Sequence, residues 1–126
     1  MKNLAKEINN INRGKGFWNS MENTLKIFDT IEGSNFLRKQ TKDAYITQKL
    51  ALVHTEISEA VESTRLKGYE ENNYGLFTKD SFIDELADTI IRILDICGEL
   101  DLDIESQIRW KLSKNKDRPF MHNKNS

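Results

Sequence analysis

The chain has one proline, one cysteine and two histidines in 126 residues, and each scarcity removes a class of explanation. The proline is Pro119, so residues 1–118 run without the residue that most strongly breaks helices. Cys97 has no partner for an intrachain disulfide. His54 and His122 cannot supply the Glu-x-x-His pairs that hold di-iron centres in helical bundles. Long apolar runs are missing too: the most apolar stretch, Ile90 to Cys97, is interrupted by Arg92 and Asp95 and falls far short of the roughly 20 residues of a membrane span. Neither charge dominates. Nineteen basic residues against twenty acidic give a net charge of −1, a balance that favours neither a nucleic-acid polymer nor a membrane surface. A basic-then-apolar leader is also absent, and the expected location is cytoplasmic.

What the chain has in quantity is apolar residues at three- and four-residue intervals, which predict an all-α fold. We expect one domain, residues 1–126, built as an antiparallel bundle of about four to five helices. A chain this small buries apolar surface more completely as an oligomer. Leu4, Ile8 and Ile11 mark a first helix ending before Arg13-Gly14-Lys15-Gly16. A second begins near Asn19 or Ser20, carries Met21, Leu25, Phe28 and Ile31, and stops at Gly33-Ser34-Asn35. A long helix is predicted from about Thr41 to Lys67, with Gly68 as its stop. The connection from Gly68 to Lys79 is long for a helix pair, a common sign of function. Asp80 or Ser81 then caps a helix through about Glu99, and Asp101 or Asp103 opens a last one to about Asn115.

The long helix contains a conflict. At about 100° per residue, Leu52, Val53, Ile57, Ala60, Val61 and Leu66 share one arc, and Glu56 and Glu59 fall inside it. Glu62, His54 and Arg65 occupy the opposite arc. A buried, uncompensated carboxylate costs several kcal/mol, so this pair calls for basic partners, a polar cleft or a metal ion. The following acidic helix shows no such conflict. Phe82, Ile83, Leu86, Ile90, Ile93, Leu94 and Cys97 fill one arc, while Asp84, Glu85, Asp88, Arg92, Asp95 and Glu99 fill the other, which reads as an ordinary solvated face. Glu85, at the arc's edge, is placed to lean toward a neighbouring helix. If the two helices pack together, Glu56, Glu59, Glu85 and Asp88 form a cage of hard oxygen ligands suited to magnesium.

Nucleophilic catalysis has little support, because Ser58 and Ser63 lack a nearby histidine base and Cys97 sits on an apolar arc. A basic cluster, Arg109, Lys111, Lys114, Lys116 and Arg118 with Asn115 among them, closes the last helix. It is either a set of phosphate ligands or a run of cations favoured by the helix dipole. Together with an acidic cage it supplies both halves of a site for a metal–polyphosphate complex.

The run Leu50-Ala51-Leu52-Val53-His54-Thr55-Glu56-Ile57-Ser58-Glu59-Ala60, the run Asp84-Glu85-Leu86-Ala87-Asp88-Thr89-Ile90-Ile91-Arg92-Ile93-Leu94-Asp95 and the segment Lys111 to Phe120 resemble, in that order, the motifs of the MazG-like all-α nucleoside triphosphate pyrophosphohydrolases. The similarity spans about residues 46 to 122. It implies a magnesium-dependent enzyme, with manganese as a substitute ion, that splits a nucleoside triphosphate, whether a deoxynucleotide or a non-standard one, into the monophosphate and pyrophosphate. By position, Glu56, Glu59, Glu85 and Asp88 would hold the metal, with Glu56 and Glu59 catalytic. Lys111, Asn115 and Arg118 would contact phosphates. Thr55 departs from the pattern, since some members carry a further acidic residue there. The resemblance also implies a homodimer or homotetramer in which neighbouring chains complete the site.

Lys15-Gly16-Phe17-Trp18 sets two aromatics beside a flexible turn. Trp18 is the candidate for stacking on a nucleobase, with a core or subunit-interface position as the alternative. Tyr69, Tyr74 and Phe77 either close over a ligand or pin their loop. Outside the hydrolase class, the same amphipathic faces would suit a non-catalytic oligomerisation or partner-binding protein. Within the fold, a nucleoside diphosphate or another pyrophosphate-containing molecule is an alternative substrate.

Overall fold

Helices form wherever the apolar periodicity runs uninterrupted. The computed structural model describes residues 1–67 and 75–118, with side chains for all of these except residues 66 and 67. Among them lie α1 (Lys2–Gly14), α2 (Asn19–Asp29), α3 (Asn35–Lys67), α4 (Phe82–Leu100) and α5 (Ile104–Lys116), and no strand, so the fold is all-α. Two of the expected caps are in place. Ser81 Oγ accepts from the Asp84 backbone N–H at 3.3 Å, and Asp103 accepts from that of Ser106 at 3.2 Å. The expected stop at Gly68, the polar stretch Glu70–Asn73, Tyr69, Tyr74, Pro119, Phe120 and His122 lie outside the described residues.

The start of α3 differs from expectation: it begins at Asn35, not near Thr41. Gly33, with φ +75°, turns the chain in a conformation that side-chain-bearing residues rarely adopt. Ser34 Oγ then donates to the Phe28 carbonyl at 2.7 Å, and the Arg38 backbone N–H donates to the Ser34 carbonyl at 2.9 Å. The Arg38 guanidinium reaches back to the Leu25 carbonyl at 3.1 Å and pairs with Asp29. These bonds tether the first turn of α3 to the end of α2, so no Thr41 cap is needed.

Helices α3 and α4 pack antiparallel, with Glu56 beside Arg92 and Glu59 beside Glu85. Helix α1 also runs antiparallel to α4: Lys6 meets Gly98, Asn9 meets Asp95, and Asn12 shares a cavity with Asp88. Gly98 permits this approach, since a Cβ there would overlap the Ala5 carbonyl and lie 2.7 Å from Asn9 Cβ. One apolar core joins Ala5, Leu94 and Cys97, with Ile8 and Ile104 against it. A second joins Trp18, Met21 and Leu25 beneath Tyr45 and Ile46 of α3.

The two acidic helices depart from their expected orientation. On α4 part of the charged arc turns inward, with Glu85 7 % and Asp95 5 % exposed, while Leu86, Ile90 and Ile93 of the apolar arc are exposed and its Leu94 and Cys97 enter a core. On α3 the buried strip is Glu56, Ala60 and Ser63, and Ile57 and Val61 lie outside it. Apolar surface on both helices therefore has no cover among the described residues. Helix α5 has no buried residue, and its first residue alone joins a core. No described helix is long and apolar enough to cross a membrane.

Candidate metal centre

Glu56 and Glu59 lie about one turn apart on α3, and the antiparallel neighbour α4 brings Glu85 to them. Each offers one carboxylate oxygen, and the three oxygens lie within 4.8 Å of one another. Their surroundings are unequal. Glu56 is nearly buried and accepts from Arg92 Nε at 3.1 Å; Glu59 is exposed; Glu85 is buried, and among the described residues its Oε2 has no hydrogen-bond donor. Two carboxylates this close need something between them that donates or carries positive charge: a shared proton, a water or a cation.

The electrostatics reflect this crowding. Burial, followed by the negative charge of Glu59 and its hydrogen-bonding demand, pushes the Glu85 carboxyl up to about 7. Burial likewise raises Asp88, with Glu56 and Asp84 adding to the shift and Arg92 opposing it. Asp88 is the one expected ligand that stands apart from the group of three. It lies along α4 from Glu85 and shares a cavity of about 300 Å³ with Glu56, Arg92, Asn12, Phe17 and Ile91.

Glu85 leans from the edge of its arc toward α3, as its position there suggested, and is buried beside Glu56 and Glu59. For Trp18 the stacking role is overturned in favour of its alternative, a core position. Trp18 is 1 % exposed, its indole N–H donates to both Asp95 carboxylate oxygens at 3.1 and 3.2 Å, and Lys49 Nζ covers the ring at 4.7 Å. A base has no access to that face. Asp95 also accepts from Asn9 Nδ2 at 2.9 Å, and Arg13 joins Glu99 to Glu22, so the acidic arc of α4 is held along its length by α1 and the Trp18 turn. Cys97 is buried in the core, which raises its thiol and keeps it in the unreactive form.

Comparison with protein-family models, with curated proteins and with solved structures finds no match.

Lys111 and Asn115 are exposed on α5 and, among the described residues, neither bonds to the acidic group; Arg118 is half-buried. The larger cavity, about 620 Å³, lies along the first half of α3 between Arg38, Lys42, Ile46 and Leu100. None of the acidic group borders it, and Arg38 and Lys39 in its wall are already paired with Asp29 and Asp43. The smaller cavity beside Glu56 and Asp88 is where space meets the carboxylates of the acidic group. Its Arg92 escaped detection in the sequence because it sat among carboxylates on what read as a solvated arc. The signal was present in the spacing of Glu85, Asp88, Arg92, Asp95 and Glu99, a charged stripe that continues the length of the helix.

Proposed function

We propose that this protein is a MazG-like nucleoside triphosphate pyrophosphohydrolase that uses magnesium, or manganese in its place, to cut between the α and β phosphates. The observation that carries this reading is Glu85 Oε2, buried without a donor inside a group of carboxylate oxygens within 4.8 Å. Like charges so close, with one buried, are costly unless a proton or a hard cation joins them, and all-oxygen donors suit magnesium and manganese. Glu56, Glu59 and Glu85 would hold the ion, with Asp88 as a further carboxylate on the cavity side. When bound, such an ion neutralises polyphosphate charge and brings a water's ionisation toward neutral pH.

The chain's own residues divide the remaining work. Glu59, the exposed member, accepts a proton from the attacking water. Arg92, the cation nearest the carboxylates, meets the negative charge of the phosphates. Lys111, Asn115 and Arg118 hold phosphates if α5 of a neighbouring chain reaches the cavity. Assembly as a homodimer or homotetramer would also cover Ile57, Val61, Leu86, Ile90 and Ile93, whose exposure supports it. The same exposure favours a second reading, in which the helices serve only oligomerisation or partner binding.

Incubation with magnesium and a panel of canonical and modified nucleoside triphosphates, with product identification, separates the readings. Monophosphate and pyrophosphate should appear, and Glu59→Gln should abolish them without changing the helical content. Release of orthophosphate from a diphosphate would move the substrate class. No turnover of any nucleotide would leave the interaction protein.

A further inference from the structure

The acidic group accounts for the phosphate end of a nucleotide; the cavity beside it has walls of a different character. Phe17 and Ile91 are apolar and substantially exposed, at 50 % and 40 %, and Asn12 presents a carboxamide with no hydrogen bond to any described residue. A volume of about 300 Å³ is at the lower end of small-ligand cavities, enough for a nucleoside but not for its phosphates as well.

Phe17 is rigidly presented. The Phe17 backbone N–H donates to the Asn12 carbonyl at 3.0 Å, folding the end of α1 back so that both side chains border one space. Its own carbonyl accepts from Lys49 Nζ at 2.6 Å. The next residue, Trp18, is anchored to Asp95. A ring that is half exposed on a backbone fixed at three points is poorly explained by packing, since Trp18 supplies the buried contact for that turn. An aromatic face held still and open, next to an unpaired amide, is what base recognition requires: a π-face for stacking and a donor with an acceptor for the base edge.

We infer that the cavity between Asn12, Phe17 and Ile91 is a nucleoside subsite, in which Phe17 stacks on the base and the Asn12 carboxamide reads its edge. This rests on the acidic group being the polyphosphate end, because Glu56 and Asp88 line the same cavity and set which way the ligand lies. Stacking is tolerant of base identity, so Phe17 contributes to binding of all nucleotides, whereas Asn12 contributes to preference among them. Arg92, at the junction, marks where the sugar gives way to phosphate.

The test uses binding, which does not depend on turnover. Calorimetric titration of the four deoxynucleoside monophosphates into the full chain with manganese should give a measurable affinity for at least one. Phe17→Ala should weaken every one that binds by about 10-fold or more, in line with the worth of one stacked base, and Phe17→Tyr should restore it. Asn12→Ala should instead compress the differences between bases. Affinity for manganese alone should stay the same in all three variants, and unchanged thermal denaturation excludes misfolding. Wild-type protein that binds manganese but no monophosphate overturns the subsite, as does Phe17→Ala with wild-type nucleotide affinity. If the titrations behave as expected but no triphosphate is hydrolysed, the hydrolase reading fails and the subsite stands.

Discussion

Arg92 Nε donates to Glu56 Oε1 at 3.1 Å, which makes a cation of α4 the standing counter-charge of a carboxylate that would otherwise face Asp88. A divalent ion at the acidic group competes with Arg92 for Glu56. Replacing the guanidinium therefore has opposite effects on two measurable quantities. Arg92→Met should lower the stability of the metal-free protein by about 1 kcal/mol, a modest figure because the arginine is partly exposed. It should also tighten manganese binding several-fold. Urea denaturation in EDTA and calorimetry with manganese check the two; weaker manganese binding would show that Arg92 helps to build the site and does not compete for it.

The metal-free protein should lose stability as pH rises, the reverse of the usual carboxylate behaviour. Glu85 is raised from 4.5 to about 7, so between those values the folded chain retains a proton that the unfolded chain has released. The stabilisation is fully present below pH 4.5 and is lost as pH rises through about 7, on the order of 3 kcal/mol in all. Asp88 shifts in the same direction and adds to the slope. Denaturation midpoints in EDTA from pH 4.5 to 8 should fall, and Glu85→Gln should flatten the curve.

Divalent ions should reverse that trend, because they bind the ionised carboxylates of the folded state. At about 100 times Kd, magnesium or manganese should add about 2.7 kcal/mol and raise Tm by on the order of 10 °C, with EDTA restoring the original value. Calcium at equal saturation provides the comparison for ion size. A Tm indifferent to all three ions at pH 8 would remove the metal centre.

At Gly98 the backbones of α1 and α4 approach closely, and any Cβ there must displace the Ala5 backbone. Gly98→Ala should cost about 1 to 3 kcal/mol, seen as a lower denaturation midpoint. It should also weaken the cavity by moving Asn12 and Phe17, which depend on α1 for their position. Gly14→Ala, with open space around its Cβ, is the control and should leave both properties unchanged.

Much of the fold was legible in the sequence. The helical class, the Ser81 and Asp103 caps and the paired acidic helices follow from spacing and side-chain chemistry, which are local. The site was legible where it broke a local rule, as Glu56 does on the apolar arc of α3. It was hidden where it obeyed one. Glu85 and Arg92 sit with other charges on a regular amphipathic wheel, and nothing in α4 alone indicates that the charged arc faces a neighbour. Trp18 was ambiguous for the same reason: an indole serves equally as a stacking face or as a buried donor until Asp95 is found opposite.

By itself the sequence determined that the chain is helical, where its helices α2, α4 and α5 begin to within a residue or two, and that two acidic turns are available for chemistry. Only the tertiary structure decided which faces meet: that Glu85 is buried beside Glu56 and Glu59, that Arg92 guards Glu56, and that Phe17 is open while Trp18 is closed. The physical reason is that periodicity records how one helix divides its own surface, whereas burial depends on which division its neighbours cover. On α4 the charged Glu85 and Asp95 are covered, while the apolar Leu86, Ile90 and Ile93 are left bare.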